Sequence, residues 1–533
     1  MLEQQVNFIE ARRQAIQSAL DSSRSAAERN RLGQFATPYA LAMEIARYVR
    51  SVVGNGLRTV RFADPAIGTG SFFSAALAVF GTERIEHAVG VELDPAFCEA
   101  ARDLWAQAGL QVVQGDFTRI VSSPSCPPPP NLILTNPPYV RHHHLDRTEK
   151  QRLQSLAFRM AGVRVNGLAG LYVYFMLLAT TWMEDGGYAA WLVPSEFMDV
   201  NYGIVLRQYL THRVTLIRAH RFDPEDVQFG DALVSSVVIV LRKTPPPAGH
   251  AAQFSLGGSL HKPRTSDYIP LEKLRHARKW TVYPHHPRND RPTSSHCDEV
   301  ALGDLFRIQR GIATGNNSFF ILERREAESR GFPKRYLRPI LPSPRLLKTT
   351  VIEADQEGYP IIEPRLCVID CDLPEAVLRA RHPALWKYLE TAEAEGIKEG
   401  YLVGKRSPWY KQEQRDPAPF LCTYMGRGAD QKRPFRFIWN RSQAIATNLY
   451  LMLYPKNALA QMMREDPCSA AAVFSLLEAL NAYELRGEGR VYGGGLYKIE
   501  PNELARISAA GFVKRWPELR WTIHRQPSLL DEH

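Results

Sequence analysis

The stretch Asn131-Leu-Ile-Leu-Thr-Asn-Pro-Pro-Tyr139 holds the residues best placed to do chemistry. Leu132 to Thr135 is a short apolar run that reads as a buried strand. Asn136-Pro137-Pro138 stops it, because two prolines cannot extend a sheet ladder. An amide side chain, a proline carbonyl and an aromatic ring are then presented at the strand's end. The Asn136 oxygen and the Pro137 carbonyl can both accept hydrogen bonds from one amino group. The Tyr139 ring can stack on the base that carries that group. Alone, the stretch is equally a strand closed by a Pro-Pro turn with an exposed tyrosine.

Carboxylates at three earlier strand ends point to a bound nucleoside. Asp64-Pro-Ala66-Ile-Gly68-Thr-Gly70-Ser71 follows a strand, Thr59 to Ala63, and leads into a helix, Phe72 to Val79. Such a glycine turn lets a ligand approach the backbone closely. Phe73 stands where a dinucleotide fold would place a third glycine, and no Lys-Ser/Thr follows to make a phosphate-cradling loop. Glu92 ends the second strand, His87 to Val91, at the spacing of a ribose-binding acid. Asp116-Phe117 follows the third strand, Leu110 to Gln114, where an acid can accept from an adenine amine and a ring can pack on its face. Singly each acid is an ordinary loop residue; their recurrence at successive strand ends is the signal. Gln34-Phe-Ala-Thr37-Pro38 precedes a helix, Ala40 to Val49, with Thr37 expected as its N-cap and Pro38 at its first position. Such a helix start can receive a carboxylate. His142-His143-His144 is too compact for a zinc site and is expected to be a loop near the site. No metal is expected.

These residues need a frame that brings strand ends together. Strands alternate with helices through Tyr188–Val193, Val214–Ala219 and Leu233–Leu241, with an apolar helix between Gly167 and Met183. The pattern predicts an α/β, doubly wound, mainly parallel sheet with a late hairpin. Residues 1–30 read as a peripheral N-terminal helical extension, 31–245 as the catalytic domain and 246–300 as a linker or wrapping segment. Residues 301–533 read as a separate, mixed α+β domain.

The length of 533 residues implies two or three domains, and the charge of +10 favours a polyanionic partner. The basic excess is local. Arg307 to Lys348 has ten Lys/Arg against three Glu and no Asp, and Tyr401 to Arg441 has nine against three acids. Aromatic and amide residues are interleaved, as a nucleic-acid surface requires. Arg310, Thr314, Asn316, Asn317, Lys405, Arg406, Arg427 and Arg433 are the candidate contacts. Seven scattered cysteines suggest reduced thiols and a cytosolic protein. The first twenty residues are not a signal peptide, and no apolar run is long enough to span a bilayer.

Together the motifs resemble the DNA adenine-N6 methyltransferases, specifically the Taq-type enzymes of type II restriction–modification systems. The resemblance runs from about Gln34 to Leu241 and resumes from Leu302 to about Lys498. Asn136-Pro137-Pro138-Tyr139 matches the motif of amino-group methylation. Asp64 to Phe72 matches the S-adenosylmethionine loop, with Ile67 where cysteine is usual. The resemblance implies that Asp64, Ala66, Gly68 and Gly70 meet the cofactor, that Glu92 binds its ribose and that Asp116 and Phe117 bind its adenine. Thr37 and Pro38 fall in the segment expected to hold the methionine end. Phe229 falls where the family places a second aromatic against a flipped-out base, and the order of motifs is that of the gamma arrangement.

The implied partners are double-stranded DNA and a separately encoded restriction endonuclease. A recognition domain in the same chain implies an enzyme that works alone, as a monomer, in a bacterial cytoplasm. Two other classes share parts of the pattern. Enzymes that methylate RNA or protein glutamine also use Asn-Pro-Pro-Tyr, but lack so large a basic domain. An inactive DNA-binding homologue would not need the intact set Asp64, Glu92, Asp116 and Asn136. A fused nuclease is not expected, since the first 30 residues leave no room for one.

Overall fold

The structure, a computed structural model, describes residues 3–54, 56–121, 128–223, 235–284, 300–427, 434–492 and 495–520. They form two compact units, Met1–Pro292 with Tyr492–Gly494, and Thr293–Val491 with Gly495–His533.

The first unit is built on one nine-stranded sheet. Its strands are β1 (Val60–Asp64), β2 (Ile85–Glu92), β3 (Leu110–Gln114), β4 (Leu132–Thr135), β5 (Tyr188–Pro194), β6 (Thr215–Arg221), β7 (Ser236–Arg242), β8 (Ala251–Gly258) and β9 (Pro263–Pro270). They lie in the order β3-β2-β1-β4-β5-β7-β6-β8-β9. β1 to β5 are mutually parallel, and β7 is antiparallel to both β5 and β6. The helices are α1 (Glu3–Ser22), α2 (Ala26–Leu32), α3 (Tyr39–Val53), α4 (Ser71–Phe80), α5 (Pro95–Trp105), α6 (Phe117–Ile120), α7 (Arg147–Ala161), α8 (Leu171–Trp182), α9 (Ile204–His212) and α10 (Leu271–His276).

Both faces of the sheet's centre are covered, which is why central strands such as β4 and β5 are apolar along their length rather than alternating. Leu132 and Leu134 of β4 pack on one side with Ile45, Phe73 and Trp105. Ile133 packs on the other with Leu156, Leu177 and Leu210. The period-2 alternation thus divides two cores between two helical layers. The chain order reverses at β1, which lies between β2 and β4, and at such a switch point a ligand crevice opens at the strands' carboxyl ends.

The doubly wound sheet and its late antiparallel strand are as expected, with three departures. The stretch read as an irregular connector, 246–300, supplies β8, β9 and α10, and β8 pairs in parallel with β6. Its polar residues hid it, because β9 at the sheet edge is alternately exposed. Helix α3 begins at Tyr39 with Pro38 in the cap position and no side-chain cap, so Thr37 is not the N-cap. Helix α1 is not peripheral, since its Val6, Glu10 and Arg13 are buried, whereas α2 buries no residue.

The second unit is α+β, as expected. A five-stranded sheet joins Phe306–Arg310, Tyr450–Pro455, Phe420–Thr423, Phe437–Asn440 and Val351–Ile352, in that order. Its central strand, Phe420–Thr423, is buried along its whole length. Two three-stranded sheets and the helices Pro383–Ala394, Asn457–Glu465 and Ser469–Glu478 complete the unit. Among the described residues no helix is long and apolar enough to cross a membrane.

Candidate active site

The carboxyl ends of β1 to β4 surround a cavity of about 860 Å³ lined by Thr37, Asp64, Ala66, Gly68, Glu92, Asp116, Phe117 and Asn136, among others. Asp64 is buried, and its Oδ1 accepts from Ala66 N–H at 3.0 Å and from the Thr135 hydroxyl at 2.5 Å. Burial pushes its carboxyl up to about 7, and the neighbouring Glu92 adds to the shift. Gly68 and Gly70 adopt φ of +54° and +91°. A Cβ on Gly70 would lie 2.4 Å from Trp105 Nε1, which donates to the Thr69 carbonyl at 2.8 Å. Only glycine fits there.

Glu92 closes the loop from the next strand. It accepts from Gly68 N–H and from Asp94 N–H, each at 2.9 Å. Burial raises its pKa above the ordinary carboxylate value. Asp116 accepts from Thr118 N–H at 2.8 Å and from the Thr118 hydroxyl at 2.7 Å, capping α6. Its second oxygen faces Arg119 at 3.3 Å and Arg152 at 3.5 Å. Phe117 packs on Phe175 and Trp182 while lining the cavity. Gly70 and Pro38 lie outside the lining; Pro38 borders the adjoining groove between α1 and α3.

Asn136 also lines the cavity. Its Nδ2 donates to the Phe35 carbonyl at 2.8 Å and to the Thr37 hydroxyl at 3.1 Å. A flipped amide would set its oxygen against the Phe35 carbonyl oxygen, so the network fixes the orientation. The Asn136 Oδ1 that results is buried and accepts no hydrogen bond. Pro137 is buried. Tyr139 is buried and does not line the cavity; its hydroxyl donates to the Leu192 carbonyl at 3.1 Å and its ring lies 5.5 Å from Phe35. The exposed tyrosine of a simple Pro-Pro turn is therefore not what forms. Phe229 lies outside the described residues.

Segment 33–37 thus does more than precede a helix. Tyr139 N–H donates to the Gly33 carbonyl at 3.0 Å, and Gly33, at φ +65°, would bring a Cβ to 2.5 Å from Tyr139 N. The segment runs alongside 136–139 and braces it. Helix α1 adds a wall that went unrecognised in the sequence. Arg13, Gln17 and Asp21 line the cavity, and Arg13 donates to the Thr69 hydroxyl at 2.9 Å and to Glu10 at 2.7 and 2.8 Å. The signal was present: Val6, Ile9 and Ile16 mark a buried stripe that also carries Glu10 and Arg13. His144 lines the cavity beside a 3₁₀ turn, His142–His144.

In the second unit the basic candidates divide. Arg310 and Arg427 are exposed, and Arg310 also lies 4.1 Å over the Tyr424 ring. Lys405 is exposed and donates to the Tyr401 hydroxyl at 2.6 Å. Arg406 instead points inward, donating to the Thr314 carbonyl at 2.8 Å and to Gln412 at 3.2 Å. Thr314 is buried and donates to Asn317 Oδ1 at 2.6 Å, while Asn316 caps a helical turn by accepting from Phe319 N–H at 3.1 Å. Arg406 and Thr314 thus hold the turn together, and Arg433 lies outside the described residues.

Comparison with known proteins covers both units. Residues 131–228 match the model of the Eco57I restriction-modification methylase family, and residues 279–523 match that of the C-terminal domain of the type II methyltransferase M.Eco57I. The chain is 29% identical to the type II methyltransferase M.XamI of Xanthomonas campestris pv. amaranthicola over 457 residues, 84% of this chain and 80% of that protein. It is 24% identical to the type II methyltransferase M.AccI of Acinetobacter calcoaceticus over 509 residues, 92% and 87% of the two chains. Among solved structures, the type IIL restriction-modification enzyme MmeI in complex with DNA superposes with a TM-score of 0.52 at 14% identity, covering 83% of this chain and 65% of that one. The last likeness shows a shared fold.

Proposed function

We propose, from the premise that the chain belongs with the type II restriction–modification methyltransferases, that it methylates the N6 amino group of an adenine flipped out of duplex DNA. One observation carries this: the Asn136 Oδ1 is a buried acceptor, held in place by Phe35 and Thr37, with no partner of its own. Buried acceptors are almost always satisfied in native proteins. An amino group of the substrate supplies the missing donor. The oxygen is covered in this conformation, so entry of the base must displace what covers it.

S-adenosylmethionine is the cofactor, and the cavity residues fit it. Glu92 can hold ribose hydroxyls, and Asp116 with Phe117 can hold an adenine. Gly68 and Gly70 let the loop lie close, and Gly68 has open space where a Cβ would be. Bound there, S-adenosylmethionine supplies an already activated sulfonium methyl.

An adenine amine is a weak nucleophile because its lone pair is delocalised into the ring. In the proposed mechanism the Asn136 oxygen accepts one amine hydrogen and the Pro137 carbonyl accepts the other. The nitrogen is thereby drawn towards tetrahedral geometry as positive charge develops on it. Preorganisation comes from the segment 33–37, which spends both Nδ2 hydrogens of Asn136 and leaves only its oxygen for the substrate. The amine is out of reach within a duplex, so the base is extruded. Tyr139, buried and pinned by the Leu192 carbonyl in this conformation, is proposed to stack on the base once its entry uncovers the ring, with Phe229 as its counterpart.

The basic second unit is proposed as the part that recognises DNA and selects the target sequence. Methylation protects host DNA from a cognate endonuclease. Long-read sequencing of modified bases in DNA from cells expressing the chain tests the whole proposal. N6-methyladenine at one recurring sequence is expected. Methylation of cytosine, or of RNA or protein alone, would overturn it.

A further inference from the structure

We infer that Arg13 of α1 takes the carboxylate at the amino-acid end of S-adenosylmethionine, an inference that rests on that cofactor assignment. Arg13 is 3% exposed, and so is its partner Glu10. A buried ion pair seldom gains much stability over a pair of apolar side chains, so an amphipathic helix could have been anchored more simply. The guanidinium carries five N–H groups. Three are used, two on Glu10 and one on Thr69. Arg13 lines both the cavity and the adjoining groove, whereas Glu10 lines neither. Two hydrogens remain, one on each terminal nitrogen, on a side chain that lines the cavity.

The charge of the cavity explains why such a cation is needed. Asp21, Asp64, Glu92, Asp94, Asp116 and Glu149 all line it, against Arg13 and Arg31 as the strong cations. Arg31 is exposed and Arg13 is buried. Asp94, Asp116 and Glu149 are already paired with Arg24, Arg119 and Arg152; Arg13, though paired with Glu10, is the buried cation of the lining with hydrogens to spare for a ligand carboxylate. Arg13 also touches Thr69, between Gly68 and Gly70, whereas Asp116 and Phe117 line the cavity from the end of β3. Along α1, Arg13, Gln17 and Asp21 fall at successive four-residue steps and all line the cavity. A cation, an amide and an anion in one row match the carboxylate and ammonium of an amino acid.

Isothermal titration tests this on the full chain. The variant combines Glu10→Gln with Arg13→Gln, so that neither charge is left buried alone. The ligands are S-adenosylhomocysteine, which keeps the amino-acid end, and 5′-methylthioadenosine, which lacks it. Affinity for S-adenosylhomocysteine should fall about 10- to 100-fold, as for a lost charge-assisted bond, with that for 5′-methylthioadenosine unchanged. An equal fall for both ligands would mean that Arg13 only braces the loop at Thr69, and no fall for either would mean that it does neither; both overturn the inference. Should the variant not fold, the wild-type chain still decides. Decarboxylated S-adenosylmethionine should bind about as much more weakly than the intact cofactor, and equal binding overturns the inference. A wild-type chain that binds none of these ligands would instead remove the cofactor assignment itself.

Discussion

Thr135 donates its hydroxyl to Asp64 Oδ1 at 2.5 Å, so the carboxylate that ends β1 is held by the residue directly preceding Asn136. One buried group therefore ties the cofactor loop to the strand that carries the proposed catalytic amide. Its protonation is coupled to folding. Burial raises the Asp64 carboxyl from 3.8 to about 7, so the folded chain holds this proton more tightly than the unfolded chain does. The resulting stabilisation is full below the unfolded value and is lost as the pH climbs to about 7. Asp64→Asn keeps an oxygen for Ala66 and Thr135 but has no proton to lose. Across the whole window the wild type should lose about 4 kcal/mol of stability, about 2–3 kcal/mol of it between about pH 5 and about pH 8, and the variant should lose none of it. Urea unfolding at about pH 5 and about pH 8 measures it; the same pH slope in both proteins sinks the argument.

The two glycines of the loop should respond differently to alanine. A Cβ on Gly70 meets the Trp105 indole at 2.4 Å, whereas one on Gly68 meets nothing within 4 Å. Gly68→Ala should cost about 1–2 kcal/mol, the strain of a left-handed backbone. Gly70→Ala carries similar strain and must also push Trp105 off the Thr69 carbonyl, an overpacking cost of roughly 1–3 kcal/mol more. Because Gly68 lines the cavity, its variant should bind S-adenosylmethionine more weakly despite being the more stable of the two. Chemical denaturation and calorimetric titration separate these effects, and the reverse order of stability would refute the packing argument.

Much of this frame was legible because the sheet is parallel and covered on both sides. Apolar runs such as Leu132–Thr135 announce buried strands, and Asp64, Glu92 and Asp116 mark where β1, β2 and β3 end. Helix α1 was harder to place. Its buried face carries Glu10 and Arg13, charges that ordinarily signal solvent, and their burial depends on Thr69, 56 residues away from Arg13. Strand β9 was missed because an edge strand needs only one apolar face, and β8 beside it because its buried positions include Ala252, Ser255 and Gly257. Thr37 fits the sequence preference for an N-cap, but its hydroxyl accepts from Asn136, and no local rule anticipates a tertiary partner. Composition could count the cations of the second unit, though not say which point outward. Arg406 and Arg427 look alike in the sequence and differ in the fold.

That difference is testable. Arg427 is exposed at the end of its strand, while Arg406 is held by the Thr314 carbonyl and Gln412. If the second unit binds duplex DNA, Arg427→Ala should weaken binding across sequences and lower the salt slope by about one, with the melting temperature unchanged. Arg406→Ala should lower the melting temperature by freeing buried carbonyls, at a cost of about 1–3 kcal/mol. Fluorescence anisotropy over a salt series and thermal unfolding measure the two. An Arg427→Ala protein with an unaltered salt slope would remove that arginine from the DNA surface.

The most exacting test falls on Asn136. Its nitrogen is occupied by Phe35 and Thr37, and its oxygen is left without a partner. Asn136→Ala removes the acceptor, and turnover should fall on the order of 100- to 1,000-fold, by analogy with the loss of one preorganised donor from an oxyanion hole. Asn136→Asp is the sharper substitution, because it keeps an oxygen of the right size. The carboxylate has no hydrogen for the Phe35 carbonyl, so it should be driven out of the position that the amide holds. Activity should therefore fall in the aspartate variant as well, although an acceptor is nominally present. Cofactor affinity should survive both changes, since Glu92, Asp116 and the glycine loop lie on other strand ends. Single-turnover methyl transfer to duplex DNA, with calorimetric titration of S-adenosylhomocysteine alongside, reads both quantities. An aspartate variant as fast as the wild type would show that the Phe35 and Thr37 contacts do not orient the amide, and an equally fast alanine variant would show that the orphaned oxygen has no part in the reaction.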